Sequence, residues 1–287
     1  MTIRLETPAV EGLPAVLDAL RDWQRDGDPV QLHPGDLGWY WRFGAEQTAA
    51  DLRTWTRDGT VLAVGLLDGP GLVRLTTAPE ARQDAELAEQ IADDFGDPDR
   101  GVLAAGEADV EAPDGALVRD ALTARGWTLG EPWTPLTRDL AAPVEVPDVR
   151  VETVGPDTAD AYAAIVRASF NGSTFTADRW RTTASGPYYS ARSLLAYDGD
   201  APAAAITVWS AGPGRPGLIE PLGVDPAHRG RGLGTAITLA GTAALRDLGA
   251  SSAFVATESE RIPAVATYKA AGYTAGTERL DLHRDAG

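Results

Sequence analysis

The stretch GLIEPLGVDPAHRGRGLG, running from Gly217 to Gly234, changes character part-way along its length. Its first part, Gly217 to Val224, has a strand-like composition broken by Pro221 and Gly223, which predicts a bulge or a distorted edge where ladder pairing fails. Its last part, Arg229 to Gly234, opens a helix whose apolar stripe is Leu233, Ile237, Ala244 and Leu248. A glycine loop therefore feeds a helix N-terminus. Free backbone N–H groups and the positive end of the helix dipole face an anion there, and glycines let the backbone approach it closely. Arg229 and Arg231 add charge, and Thr235 adds a hydroxyl in the first turn. This arrangement suits a pyrophosphate, although a glycine-rich turn without a ligand would read the same way.

Which phosphate ligand is narrowed by what the loop lacks. The GxxxxGK[ST] pattern is absent, so it is not a Walker loop. The dinucleotide pattern GxGxxG fails because Thr235 stands where the third glycine belongs, and the spacer VDPAHR is too long for that fold's tight turn. Glu258, ending the next β-rich run, is the one feature in its favour.

Working outward, the chain has 287 residues, 44% hydrophobic and 23% charged, an ordinary globular composition. That length predicts two domains. It has no cysteine, which excludes disulfides and thiolate metal sites. Histidines 33, 228 and 283 are too scattered for a metal site or a nucleophilic triad. No apolar run reaches the roughly 18 residues of a membrane span, and the N-terminus lacks a signal-peptide core, so a soluble, cytoplasmic protein is expected. With 25 basic against 42 acidic side chains the net charge is −17, which argues against a general nucleic-acid binder. Residues 1–147 hold 12 basic and 27 acidic side chains, net −15, and residues 148–287 hold 13 and 15, net −2. The acidic half suits either a cationic ligand or simple solubility.

The proline-containing segment DLAAPVEVPDVR (Asp139 to Arg150) predicts a linker over 141–149, between domains 1–140 and 150–287. The two sides repeat. A helix bearing Leu13, Val16, Leu17 and Leu20 precedes an aromatic stretch from Trp39 to Phe43 and a helix around Leu52 and Trp55. In the second half the same order runs from a helix over 157–168, through the aromatic loop Phe170 to Phe175, to a helix around Trp180. Hairpins turning at Asp68-Gly69 and at Asp198-Gly199 follow. Pro79 and Arg82 then align with Pro226 and Arg229, and TARGW (123–127) with KAAGY (269–273). Two copies of one α+β fold are the simplest account.

At this point the second half resembles the GCN5-related N-acetyltransferase (GNAT) family, whose signature [QR]-x-x-G-x-[GA] is met by Arg229, Gly232 and Gly234. The match is specific from Gly217 to Leu282 and weaker from Val151 to Ser210. The resemblance implies two tandem domains, each a mixed, mostly antiparallel sheet flanked by helices, with the C-terminal sheet splayed open at an acyl-CoA site. It implies acetyl-CoA, with the pyrophosphate on the amides of Arg229, Gly230, Arg231, Gly232, Leu233, Gly234 and Thr235. The pantetheine arm would lie along Leu222, Gly223 and Val224. It also gives Tyr268 the role of protonating the leaving thiolate, which a phenol protonated at neutral pH can do. Arg261 stands where the family usually has Asn, which puts a CoA contact there in question.

An acceptor amine must also lose a proton. Glu220 is the candidate base, on the interrupted strand with the parity of Leu218, Leu222 and Val224. Family members often place a base on this strand at the position of Leu218. In the first half, Arg82-Gln-Asp-Ala-Glu-Leu87 replaces both signature glycines and Leu122 replaces Tyr268. Residues 1–140 therefore read as a degenerate copy without cofactor, completing the acceptor pocket or stabilising the fold. Phe170, Phe175, Trp180, Tyr188 and Tyr189 are the candidate acceptor contacts, though such aromatics also suit a core lid. The expected activity is direct acetyl transfer, in a ternary complex, to the primary amine of a small molecule, by a monomer or homodimer. Protein or peptide acetylation and a non-catalytic acyl-CoA-binding module are the rivals.

Overall fold

The computed structural model describes residues 2–145, 148–187 and 190–286. The first half runs β1 (Arg4–Glu6), α1 (Leu13–Asp22), α2 (Pro34–Tyr40), α3 (Ala45–Ala50), β2 (Leu52–Arg57), β3 (Thr60–Leu67), β4 (Leu72–Thr77), α4 (Ala85–Gly96), β5 (Ala108–Glu111), α5 (Leu117–Ala124) and β6 (Thr128–Asp139). The second half runs β7 (Val151–Thr153), α6 (Ala159–Ser169), α7 (Ala177–Ala184), β8 (Ala191–Asp198), β9 (Ala201–Ser210), β10 (Gly217–Val224), α8 (Leu233–Asp247), β11 (Ser252–Glu258), α9 (Ile262–Ala270), β12 (Thr274–Ala275) and β13 (Arg279–Arg284). The repeat is thus real in the backbone. In each half the fourth and fifth strands, β4 with β5 and β10 with β11, pair parallel among otherwise antiparallel neighbours.

Two details of the repeat differ from the sequence reading. Leu52 and Trp55 lie on strand β2, not on a helix, because Leu52, Thr54 and Trp55 bury against the sheet and Trp55 spends its indole N–H on Asp94 at 2.8 Å. The hairpin equivalent to the turn after Asp198 is Asp58-Gly59, where both residues have positive φ (52° and 81°), as a two-residue type I′ turn demands. Asp68-Gly69 turns the next hairpin. The capping match at 123–127 and 269–273 holds: Trp127 N–H bonds Leu122 O, and Tyr273 N–H bonds Tyr268 O, around Gly126 and Gly272 at φ near +90° and +81°.

The strands form one continuous sheet in the order β1-β2-β3-β4-β5-β13-β6-β11-β10-β9-β8-β7, with β12 also on β6. The last strands are exchanged. β13 pairs β5 of the first half, and β6, which the division at residue 140 assigns to the first half, runs along β11 from Ser252↔Asp139 to Glu258↔Trp133. One core gathers residues from Ile3 to Trp127 together with Trp209, Leu218, Phe254 and Leu282, and the second begins at Leu136. The cores therefore part between Trp127 and Leu136, while the chain's hinge lies later.

Helix α2 fixes how the halves meet. His33 caps it, its Nδ1 accepting from Gly35 N–H at 2.9 Å and its Nε2 lying 3.1 Å from Pro216 O on the other half. Burial holds this imidazole neutral, with its pKa lowered to about 4. Gly35 and Gly38, one helical turn apart, face Trp209 of β9, and a Cβ on either would lie 2.4 Å from that side chain. Only glycine permits this approach. Gly38→Ala is accordingly expected to destabilise the chain by about 1–3 kcal/mol through overpacking, read as a lower urea midpoint at constant slope. An unchanged midpoint would show that the Trp209 ring has room to yield.

Candidate active site

The register of β10 on β9 shifts between Ile219 and Leu222, at Glu220-Pro221, so the bulge expected from Pro221 is present. There the Glu220 carbonyl accepts from the Trp209 indole N–H at 2.6 Å. On its other side β10 pairs β11 only at Gly217↔Ala253 and Leu218↔Phe254, after which the two strands separate. The backbone edge from Ile219 to Val224 is left without a strand partner on that side. A cavity of about 1130 Å³ opens in the gap, lined by both halves.

One end of the cavity is the glycine loop. Gly230 and Gly232 have φ of +74° and +79°, and nothing lies within 4 Å of where their Cβ atoms would stand. Gly232 is the N-cap of the 15-residue helix α8 and provides no side-chain cap, so the first-turn N–H groups lack an internal acceptor. Gly234 is small for another reason: its Cβ would stand 3.1 Å from Thr267 of α9. The equivalent helix in the first half is closed. Asp84 caps α4 by accepting from Leu87 N–H at 3.0 Å, and Arg57 ties Asp84 and Glu86 at 2.6 and 2.9 Å. Both the dipole end and the charge are satisfied from within.

The residues of the second half fit an acyl-CoA. The uncapped α8 terminus and the two open glycines accommodate a pyrophosphate, and the free β10 edge offers Leu222, Gly223 and Val224 to an extended amide chain. Beside Gly223, Ser169 Oγ is buried with no hydrogen-bond partner, a polar atom that a ligand amide would satisfy. Arg229, Gly230, Gly232, Leu233, Gly234, Thr235 and Arg261 line the cavity. Arg231 does not: its guanidinium turns outward to Asp198, which also holds His228 Nδ1 at 2.9 Å, because this carboxylate projects from the β8–β9 turn beside the loop. Arg261 is tied bidentately to Glu258, at 2.6 and 2.9 Å, at the cavity rim.

Tyr268 and Glu220 both reach the cavity. The Tyr268 ring is 6% exposed and packs 5.8 Å from Tyr273, and no described residue hydrogen-bonds its phenol. Burial, with Tyr273 and Glu220 nearby, pushes its pKa above the ordinary phenol value, so it keeps its proton. Leu218, the position where the family often has a base, is buried against the first core.

Glu220 belongs to a cluster that the sequence reading missed. Arg74 of β4 lies 2.9 Å from Asp36, 3.1 Å from Glu111 and 3.8 Å from both Asp68 and Glu220. Burial, against the pull of Arg74 and aided by hydrogen-bonded Asp36 and by Asp68, holds the Glu220 carboxyl well above the usual carboxylate range. Asp36 arrives on α2, so the docking on Trp209 delivers it. The acidity of the first half is not concentrated here. The carboxylates lining the cavity, Asp36, Asp68, Glu111, Glu220 and Glu258, are matched by Arg42, Arg74, Arg179, Arg229, Arg261 and Arg279.

Of the aromatic candidates, Phe170 and Phe175 line the cavity, and Phe175 stacks on Trp39 of the first half at 4.9 Å. Trp180 is not among the lining residues; it packs on the α6 core and donates to Ser193 Oγ at 3.2 Å, as its place on α7 behind the loop requires. Tyr188 and Tyr189 lie outside the described residues. Among the described residues no group of three or more His, Asp or Glu side chains is placed to hold a metal ion, and no helix is long and apolar enough to cross a membrane.

The structure thus sets two tandem α+β units side by side, one with an uncapped helix N-terminus beside a splayed sheet. Residues 159–273 match the family described as "Acetyltransferase (GNAT) family". Solved structures share the whole fold. An acetyltransferase from Colwellia psychrerythraea superposes with TM-score 0.62 at 15% identity, covering 99% of each chain. A tandem GNAT protein from the clavulanic acid biosynthesis pathway does so with TM-score 0.60 at 18% identity, covering 100% of this chain and 99% of that one. Among curated proteins, the mycothiol acetyltransferase of Sanguibacter keddieii is 43% identical over 70 residues, 24% of this chain and 22% of that protein. The one from Segniliparus rotundus is 47% identical over 58 residues, 20% of this chain and 22% of that protein. The matched segments span about a fifth of the length of these relatives.

Proposed function

We propose that the chain is an acetyl-CoA-dependent N-acetyltransferase that acts on the primary amine of a small molecule by direct transfer. The observation that carries this reading is the shared cavity: the open α8 terminus, the free β10 edge, Tyr268 and Glu220 all face one space that residues of both halves line. A cleft walled by charged side chains of both halves, Asp36 and Arg74 from one and Glu220 and Arg179 from the other, suits a small polar acceptor. Acetyl-CoA, when bound, supplies a thioester whose acetyl group passes to the amine nitrogen as the carbon–sulfur bond breaks.

The chain's own part is positioning and proton transfer. Amides at the α8 N-terminus and Arg229 hold phosphate oxygens. The Glu220 carboxylate accepts the acceptor's ammonium proton, directly or through a water. Tyr268 keeps a proton available at its phenol oxygen for the departing sulfur. Residues 1–140 hold no cofactor; they contribute Asp36, Asp68, Arg74 and Glu111 to the wall.

Calorimetric titration of acetyl-CoA into the whole chain tests the reading, with one site per chain expected and no binding refuting it. Because the carboxyl of Glu220 sits above its ordinary range and must lose its proton to act, kcat/KM is expected to rise with pH across a limb displaced upward from ordinary carboxylate titration. Glu220→Gln should remove that limb. A limb unchanged in the variant would assign the base to water or another group.

A further inference from the structure

Three arginines lining the cavity are already paired: Arg74 with Asp36 and Glu111, Arg279 with Glu111 and Asp281, and Arg261 with Glu258. Arg229 stands at the glycine loop, where a pyrophosphate accounts for it. Arg42 and Arg179 remain. Among the described residues neither has a carboxylate within 4.0 Å, although both line the cavity. Arg42 spends one N–H on Trp39 O at 2.8 Å, and Arg179 bonds Thr174 Oγ1 at 2.9 Å, so most of their donors are unspent.

The two guanidiniums come from different halves and converge on one ring. Arg42 Cζ lies 4.4 Å from the Phe43 centroid and 4.7 Å from that of Trp39, and Arg179 Cζ lies 5.2 Å from the same Phe43 centroid. Burial disfavours the Arg42 charge, with a smaller cost from the neighbouring Arg179, and the more distant Asp68 and Glu220 only partly offset it. Two half-buried cations that converge on one ring, with no carboxylate of the described residues within 4.0 Å of either, form a site for an anion. Arg42 sits over Trp39, which stacks on Phe175 of the second half, and all three line the cavity with Glu220, whose charge and that of Asp68 act on Arg42.

We infer that the acceptor carries a carboxylate as well as its amine, and that Arg42 and Arg179 grip this carboxylate while the amine lies toward Glu220. The substrate class is an amino acid or an amine–carboxylate of similar size. This inference rests on the acetyltransferase reading. It replaces the simple cationic acceptor that the net charge suggested, because the planar fork of arginine matches a carboxylate.

The test begins with calorimetry of acetyl-CoA on the wild-type chain and on Arg42→Gln, Arg42→Lys and Arg179→Gln, followed by CoA release with a panel of acceptors. The panel pairs α- and ω-amino acids with their decarboxylated amines, their amides and the matching aminophosphonates. The expected result is at least a tenfold preference in kcat/KM for a carboxylate over its decarboxylated partner. KM for that acceptor should rise at least tenfold in Arg42→Gln and Arg179→Gln and less in Arg42→Lys, while acetyl-CoA affinity and kcat stay near wild type. Equal use of the decarboxylated amines, a preference for phosphonates, or transfer to no panel member by a chain that binds acetyl-CoA would overturn the inference alone. So would loss of acetyl-CoA affinity in the arginine variants, which would hand the pair to the cofactor. Failure of the wild-type chain to bind acetyl-CoA would overturn the acetyltransferase reading with it.

Discussion

Gly232→Glu is expected to weaken acetyl-CoA binding at least 100-fold, about 2.7 kcal/mol, to the point where calorimetry detects no site. Two effects combine. At φ +79° an L side chain pays on the order of 1 kcal/mol in the left-handed region, and the added carboxylate stands where the helix N-terminus would meet phosphate. Gly232→Ala separates them: the space for its Cβ is open, so it bears only the backbone cost and should lower the melting temperature more than it lowers affinity. The first half shows how a carboxylate at a helix start takes such a donor, since Asp84 caps α4 by accepting from Leu87 N–H. Full affinity in Gly232→Glu would place the pyrophosphate elsewhere.

Tyr268→Phe is expected to lower kcat roughly 100-fold, within the range for loss of a positioned general acid, while acetyl-CoA affinity changes by less than about twofold. The phenyl ring keeps the packing against Tyr273. Since no described residue hydrogen-bonds the phenol, its removal orphans no protein group, and thermal stability should hold. The measurement is single-turnover transfer beside calorimetry. Turnover unchanged in the variant would take Tyr268 out of the reaction.

The glycine loop, the distorted strand and the Tyr268 helix were legible because each makes a demand on local backbone or periodicity that a few residues reveal. Gly230 and Gly232 need positive φ, Pro221 breaks a ladder, and Gly272 ends a helix. The wall from the first half was not legible in the same way. Asp36 and Arg74 meet only because α2 lies on Trp209, and the sole local trace is the spacing of Gly35 and Gly38 on one helical face. Arg42 and Arg179 likewise converge from separate halves. The exchange of β6 and β13 left no signature either, since a strand's composition says that it pairs and not which sheet receives it. Short apolar segments also mislead on type: Leu52 and Trp55 fit a helical interval, and burial on the sheet decided the matter.

The exchanged strands make each copy's sheet depend on the other. β6 supplies the register along β11 on which the far wall of the splay depends, and β13 returns to complete the sheet around β5. Neither half, cut at the hinge, retains all of its own sheet. Each copy therefore depends on a strand that the chain supplies from the other side of the link, so the two are expected to unfold together.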